Sequence, residues 1–226
     1  MINKLLIVIC TQAKTDKEFE QKQISLSLKK QYESNSNVNF HIFKDNKKGL
    51  GLCYNEILKD PNNLDKIALF VHDDVVLEDI FLYEKLMFSP YSITGLAGTK
   101  SFNKKADKMA WHLASNGRED FVGEVAHVNQ SKQAWTTVFG PTQSRALIVD
   151  GLFIACKVKD LVDNDLYFDE QFEWHHYDMS FCLRANEKKV KVGVLPIKVL
   201  HYGLGDSMLS SEWEESNKKF KEIYCK

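Results

Sequence analysis

The sequence has no long hydrophobic run. The longest near the N-terminus, Leu5 to Cys10, falls far short of the ~20 apolar residues of a membrane-spanning helix. It is also too short for the apolar region of a secretory signal, so Met1 reads as the start of a folded, cytoplasmic chain. Charge of one sign is missing too. Lys plus Arg number 30 and Asp plus Glu 31, a balance that excludes a dedicated nucleic-acid binder. Proline is scarce, with 4 in 226 residues, and apolar content is ordinary at 44%; together these exclude a low-complexity, disordered chain. The 5 cysteines are far apart and contain no C-x-x-C pair, which argues against a thiolate zinc site and for reduced, buried thiols. A chain of this length buries a sizeable core without disulfides or a structural metal.

What is present is an alternation. Leu5 to Cys10 is continuously apolar, as a strand buried on both faces would be. Thr15-x-x-Glu18 forms a capping box, predicting a helix to about Tyr32, which Ser34 to Asn37 ends. Val38 to Phe43 reads as a second strand. Leu50, Cys53, Tyr54, Ile57 and Leu58 follow helical spacing, and Pro61 closes that helix. Ile67 to Val71 is a third strand. Strand, helix, strand, helix, strand predicts an α/β fold with a mostly parallel central sheet flanked by helices. Residues 100–147 are polar and Gly-punctuated, without helical period. Ala146 to Cys156 is apolar but interrupted at Asp150-Gly151. A helix over Asp178 to Lys188, a strand over Val190 to Leu195 and a last helix opened by Ser211-x-x-Glu214 complete the pattern. No repeat or linker divides it, so the simplest reading is one domain, 1–226, with halves at 1–99 and 100–226.

Four segments carry chemistry. His72-Asp73-Asp74 ends the third strand, where ligands bind in open α/β sheets, and its side chains suit Mg²⁺ or Mn²⁺. The same acids would equally mark a turn before a helix near Glu78. Gly49-Leu50-Gly51 opens a helix and could present N–H groups to an anion or simply turn the chain. Phe168 to Arg184 is dense in acids, imidazoles and aromatics; Asp178 within it is a candidate carboxylate or a plain N-cap. His201 follows an apolar strand and reads as a ligand or a structural residue.

The order of these segments resembles the inverting GT-A glycosyltransferases of family 2. The match is best in their glycosyltransferase-like branch, whose strand end reads H-x-D. It runs from Gly49 to Asn55, through His72-Asp73-Asp74, Asp150 to Ala155, Phe168 to Glu170 and Tyr177 to Arg184, to His201. The resemblance implies a GT-A (nucleotide-diphospho-sugar transferase) fold and a nucleotide-sugar donor, a UDP-sugar by default. It implies a divalent cation, Mn²⁺ or Mg²⁺, held by Asp74 and His201, with His72 standing at the first acid of D-x-D. Thr11, Asp45, Gly49, Asn55 and Asp73 fall on the nucleotide side. Asp178 matches the catalytic base of the E-D motif, with Tyr177 replacing the Glu. Trp111, Trp135, Gly151 and His176 fall on the acceptor side, where the two tryptophans would stack on sugar or cover the sheet. The expected activity is hexosyl transfer to a glycan or lipid-linked acceptor, as in cell-surface polysaccharide synthesis. The expected site of action is the cytoplasm, with at most transient contact at the inner membrane face. Two rivals stand beside it: a nucleotide-sugar-binding partner without turnover, and a metal-dependent phosphohydrolase using His72, Asp73, Asp74, His176 and His201.

Overall fold

The computed structural model describes residues 4–29, 36–129, 131–203 and 210–226. Its centre is a strand pair that the sequence makes almost entirely of branched and aromatic residues. β1 (Lys4–Cys10) pairs in parallel with β2 (Val38–Phe43) on one side and β3 (Lys66–Val71) on the other. The crossover helix before β3 is α3 (Leu50–Lys59), which buries Cys53, Tyr54, Ile57 and Leu58 as its spacing requires. A proline in the next turn stops it.

The first helical segment is shorter than its capping box suggests. Thr15 does accept from the Glu18 N–H. The helix breaks at Lys22, which is extended, into α1 (Asp16–Phe19) and α2 (Gln23–Ser27). The break has a tertiary cause. It lets Lys22 Nζ reach the Asp73 carboxylate at 3.0 Å and Ile24 N–H reach the Asp73 carbonyl at 3.2 Å. The expected end of this helix near Tyr32 lies outside the described residues.

Beyond β3 the sheet is mixed. β11 (Phe153–Lys157) inserts antiparallel to β3, followed in order by β5 (Ile93–Gly95), β12 (Val192–Val194) and β9 (Ser144–Arg145). The sheet is parallel where helices cross over it and antiparallel where β11 returns from the excursion over residues 100–147. That excursion contributes to a second sheet, ordered β10 (Ile148–Val149), β6 (Ala97–Thr99), β7 (Phe121–Val128), β13 (Val199–His201) and β4 (Val75–Leu77), with β8 (Ala134–Val138) also on β7. Val75 to Leu77 is therefore a strand, and the next helix, α4 (Leu82–Met87), starts later than Glu78. After β11 come α5 (Val158–Asp163), α6 (Tyr177–Glu187) and α7 (Ser211–Tyr224). The cap of α7 is Ser210, one residue before the expected Ser211; its hydroxyl accepts from the Trp213 N–H at 3.1 Å. That phase turns Trp213 and Phe220 inward at helical spacing. Among the described residues no helix is long and apolar enough to cross a membrane.

One buried amide ties α3 to the segment before α6. Asn55, 2% exposed, donates to the Phe168 carbonyl and to Glu170 and accepts from the Phe168 N–H, at 2.9–3.0 Å. Its polar valence is spent on holding the fold. Asn55→Ala strands the Phe168 backbone pair without partners, and urea unfolding should show a loss of about 3 kcal/mol.

Candidate active site

Two strand registers assemble the site. β13 is antiparallel to β4 and parallel to β7, so His201 stands opposite Val75 on one side and His127 on the other. β8 adds Trp135 opposite His127, and the two rings stack. Asp74 precedes Val75, and its carbonyl accepts from the Tyr202 N–H at 2.9 Å. His201 Nε2 thereby comes to 3.4 Å from Asp74 Oδ2, while His201 Nδ1 lies 3.3 Å from His127 Nδ1. Gly203 permits this approach, since a Cβ there would stand 2.2 Å from His201 Nε2.

The cleft has two hollows. The first, of about 340 Å³, is lined by Thr11, Lys22, Asn46, Tyr54, Asp73 and Asp74, among others. The second, of about 460 Å³, is lined by Trp111, His127, Asp150, Gly151, His176 and Asp178, among others. His72 and Trp174 line both.

In the first hollow, the Thr11 hydroxyl donates to Asp73 at 2.5 Å, on the same carboxylate oxygen that Lys22 reaches. Asp74 is treated differently. Burial pushes its carboxyl up, but His201, His72 and a backbone N–H hold it below the usual carboxylate range. Its Oδ1 is buried and has no hydrogen-bond partner among the described residues. An orphaned carboxylate oxygen beside an imidazole nitrogen suits Mg²⁺ or Mn²⁺. No cluster of three or more His, Cys, Asp or Glu side chains among the described residues is placed to hold an ion. Asp74 and His201 could supply two ligands to a cation, whose remaining ligands would have to come from elsewhere.

The expected nucleotide-side residues divide. Thr11 and Asp73 line the first hollow; Asp45, Gly49 and Asn55 do not. Asp45 is exposed, with a left-handed backbone (φ 44°), and points to Lys47 at 3.6 Å. Its neighbour Asn46 lines the hollow instead. Gly49 faces Glu173, whose Cα a Cβ would approach to 2.7 Å, so the segment before α6 fills the space an anion would need.

In the second hollow, Asp178 sits in the first turn of α6. Its Oδ2 accepts from the Gly151 N–H at 2.9 Å and its Oδ1 from its neighbour Met179 N–H at 2.8 Å. The residue before α6 proper is His176, left-handed at φ 62° and buried. Its Nδ1 lies 2.8 Å from the Ser216 hydroxyl on α7, and burial with the nearby His175 pushes its pKa down to about 4. Asp150 accepts from Trp111 Nε1 at 2.6 Å and from its own turn at the Leu152 N–H. Trp111 is buried against Phe121 and Phe139, whereas Trp135 is half exposed. A cross-connection links the hollows. His72 Nε2 and the Tyr177 hydroxyl are 2.9 Å apart, and that hydroxyl donates to the Gly151 carbonyl at 3.0 Å.

Burial pushes the Asp178 carboxyl up to about 7, the Asp150 carboxylate adding to the effect against the two N–H bonds. An acid whose pKa rises on folding contributes stability below its unfolded value. That contribution is lost as pH rises through the folded value, here between about 4 and about 7. Asp150→Asn removes the like charge. Carboxyl ¹³C NMR should then show Asp178 titrating lower than in the wild type, and an unchanged midpoint would contradict this account.

Compared with known proteins, the chain matches the model of a glycosyltransferase-like family over residues 7–224. No curated protein matches it significantly. Among solved structures it superposes on A197 from STIV with a TM-score of 0.51 and 13% identity, over 88% of this chain and 86% of that one. It also superposes on GalNAc-T7, crystallised with UDP, GalNAc and Mn²⁺. There the TM-score is 0.55 and identity 11%, over 98% of this chain and 48% of that one, so the chain spans about half of that structure. At such identities the likeness shows the fold, which is that of the GT-A glycosyltransferases.

Proposed function

The chain belongs to the glycosyltransferase-like family, and we propose that it is an inverting, metal-assisted hexosyltransferase. The donor would be a nucleotide sugar, a UDP-sugar by default, and the acceptor a glycan or lipid-linked sugar. The carrying observation is that two hollows meet at His72, one holding the orphaned Asp74 oxygen and the other the Asp178 carboxylate. The lining supports dividing one domain into a nucleotide half, 1–99, and an acceptor half, 100–226. The proposed setting is the cytoplasm, with transient contact at the inner membrane face for a lipid-linked acceptor.

Thr11, Asp73 and Asn46 would bind the nucleoside by hydrogen bonds, and Lys22 would offset charge beside them. Asp74 and His201 would hold the cation. When bound, such an ion stabilises the negative charge that develops on the leaving diphosphate. In the second hollow the acceptor hydroxyl would attack the anomeric carbon. The new C–O bond forms as the bond to the diphosphate breaks, the diphosphate keeps that bonding pair, and Asp178 takes the hydroxyl proton. A carboxyl with a pKa near 7 suits a base that must hold and release a proton near neutral pH. Each Asp178 oxygen already accepts one N–H and keeps a second lone pair for this task. Trp111, Trp135 and Trp174 would offer ring faces to sugar.

The test is a thermal-shift screen of UDP-sugars with and without Mn²⁺, followed by transfer assays. A donor that binds raises the melting temperature by mass action. Asp74→Ala should lower kcat/KM about a hundredfold or more, and Asp178→Ala by a factor of ~10²–10⁴. The wild-type profile of kcat/KM should rise with pH through about 7, as Asp178 loses its proton. Undiminished activity in both variants would remove the assignment. Donor binding with no turnover against any acceptor would favour the nucleotide-sugar-binding partner.

A further inference from the structure

We infer that Tyr177 is a positioning residue: it holds the His72 ring with Nε2–H on the phenol oxygen, so that the neutral form of the ring is the Nε2–H tautomer and turns its Nδ1 lone pair to the cleft as an acceptor for a sugar hydroxyl. Only the last clause rests on the glycosyltransferase reading; the tautomer follows from hydrogen-bond accounting.

A phenol carries one proton. The Gly151 carbonyl, 3.0 Å from the Tyr177 oxygen, can only accept, so the phenol proton goes there. His72 Nε2 is 2.9 Å from the same oxygen. With its proton spent, that oxygen can only accept from His72, so Nε2 carries the hydrogen. In a neutral imidazole the other nitrogen is then bare. The phenol keeps its proton to do this, because burial and the nearby Tyr54 and Asp178 push its pKa well up. Nor can Tyr177 turn away. It is 4% exposed, it packs edge-on against Tyr54, and Gly151 lies so close that a Cβ there would stand 2.4 Å from the hydroxyl.

His72 Nδ1 has no hydrogen-bond partner among the described residues. The residue is half-buried and lines both hollows. A fixed lone pair at that junction accepts from a hydroxyl lying between donor and acceptor. The first acid of a D-x-D strand end would bring a negative charge there; the neutral form of His72 brings an acceptor with a defined direction.

The test labels histidine with ¹⁵N and reads ring tautomers from long-range ¹H–¹⁵N correlations, with no ligand present. At a pH where its ring is neutral, wild-type His72 should show a protonated Nε2 and a bare Nδ1. In Tyr177→Phe that preference should be lost, the proton being shared between the nitrogens. A protonated Nδ1 in the wild type, or an unchanged tautomer in Tyr177→Phe, would overturn the inference. His72→Gln separates structure from recognition, since its amide nitrogen replaces Nε2 as donor to Tyr177 but no lone pair replaces Nδ1. With UDP-glucose, or whichever UDP-sugar the screen finds, His72→Gln should keep the wild-type melting temperature and lose about tenfold in kcat/KM. Unchanged kinetics would remove the hydroxyl contact. If no UDP-sugar binds, the functional reading fails while the tautomer is still decided by the spectrum.

Discussion

The site depends on the turn Asp150-Gly151-Leu152. It lies beside the end of β3, where the His72 N–H donates to the Leu152 carbonyl. Its Gly151 N–H holds one oxygen of Asp178, and its Gly151 carbonyl accepts a hydrogen bond from the Tyr177 hydroxyl. Its Asp150 holds the Trp111 indole. One turn thus fixes the strand-end imidazole, the helix-start carboxylate and an aromatic wall. Gly151 is required there by contact, because a side chain would collide with Tyr177.

The same turn sets the electrostatics. Asp178 is poorly solvated and feels the Asp150 carboxylate, and it responds by holding its proton to near neutral pH. In the first hollow the logic is opposite. Asp73 is partnered by the Thr11 hydroxyl and the Lys22 ammonium, while the histidines hold the Asp74 carboxyl below its usual range and one of its oxygens has no partner among the described residues. The cleft has acids in both hollows but keeps them in different states. A near-zero net charge conceals this arrangement.

Much of this was legible in the sequence where local physics decides. The continuous apolar runs of β1 and β3 and the helical spacing of α3 stand where they were expected. Strands of two or three residues, such as β4, β9 and β10, leave no periodicity to read. The break at Lys22 depends on Asp73, about fifty residues away, so no local pattern announces it. Asn55 shows the same limit within the site: a polar residue on a helix after a glycine turn reads as a ligand, but its partners are more than a hundred residues along the chain. His127 and Lys22 gave no signal because register and tertiary contact alone bring them to the cleft. Asp150 stood out as an interruption of an apolar run and as the start of a segment that carries the resemblance, but neither announces its contact with Trp111. Strand-end position singled out His72, Asp73 and Asp74 and a helix start Asp178, while Thr11 came from the resemblance alone; all five line the two hollows.

In the proposed reaction one carboxylate, Asp178, serves a single displacement across the junction of two hollows. The most direct measurement is the anomeric configuration of the first-formed product, read by proton NMR during turnover. A single displacement predicts inversion, an α-linked donor yielding a β-linked product. Retention of configuration would contradict it, because retention needs either a nucleophile that forms a sugar–enzyme intermediate or attack from the face the diphosphate leaves.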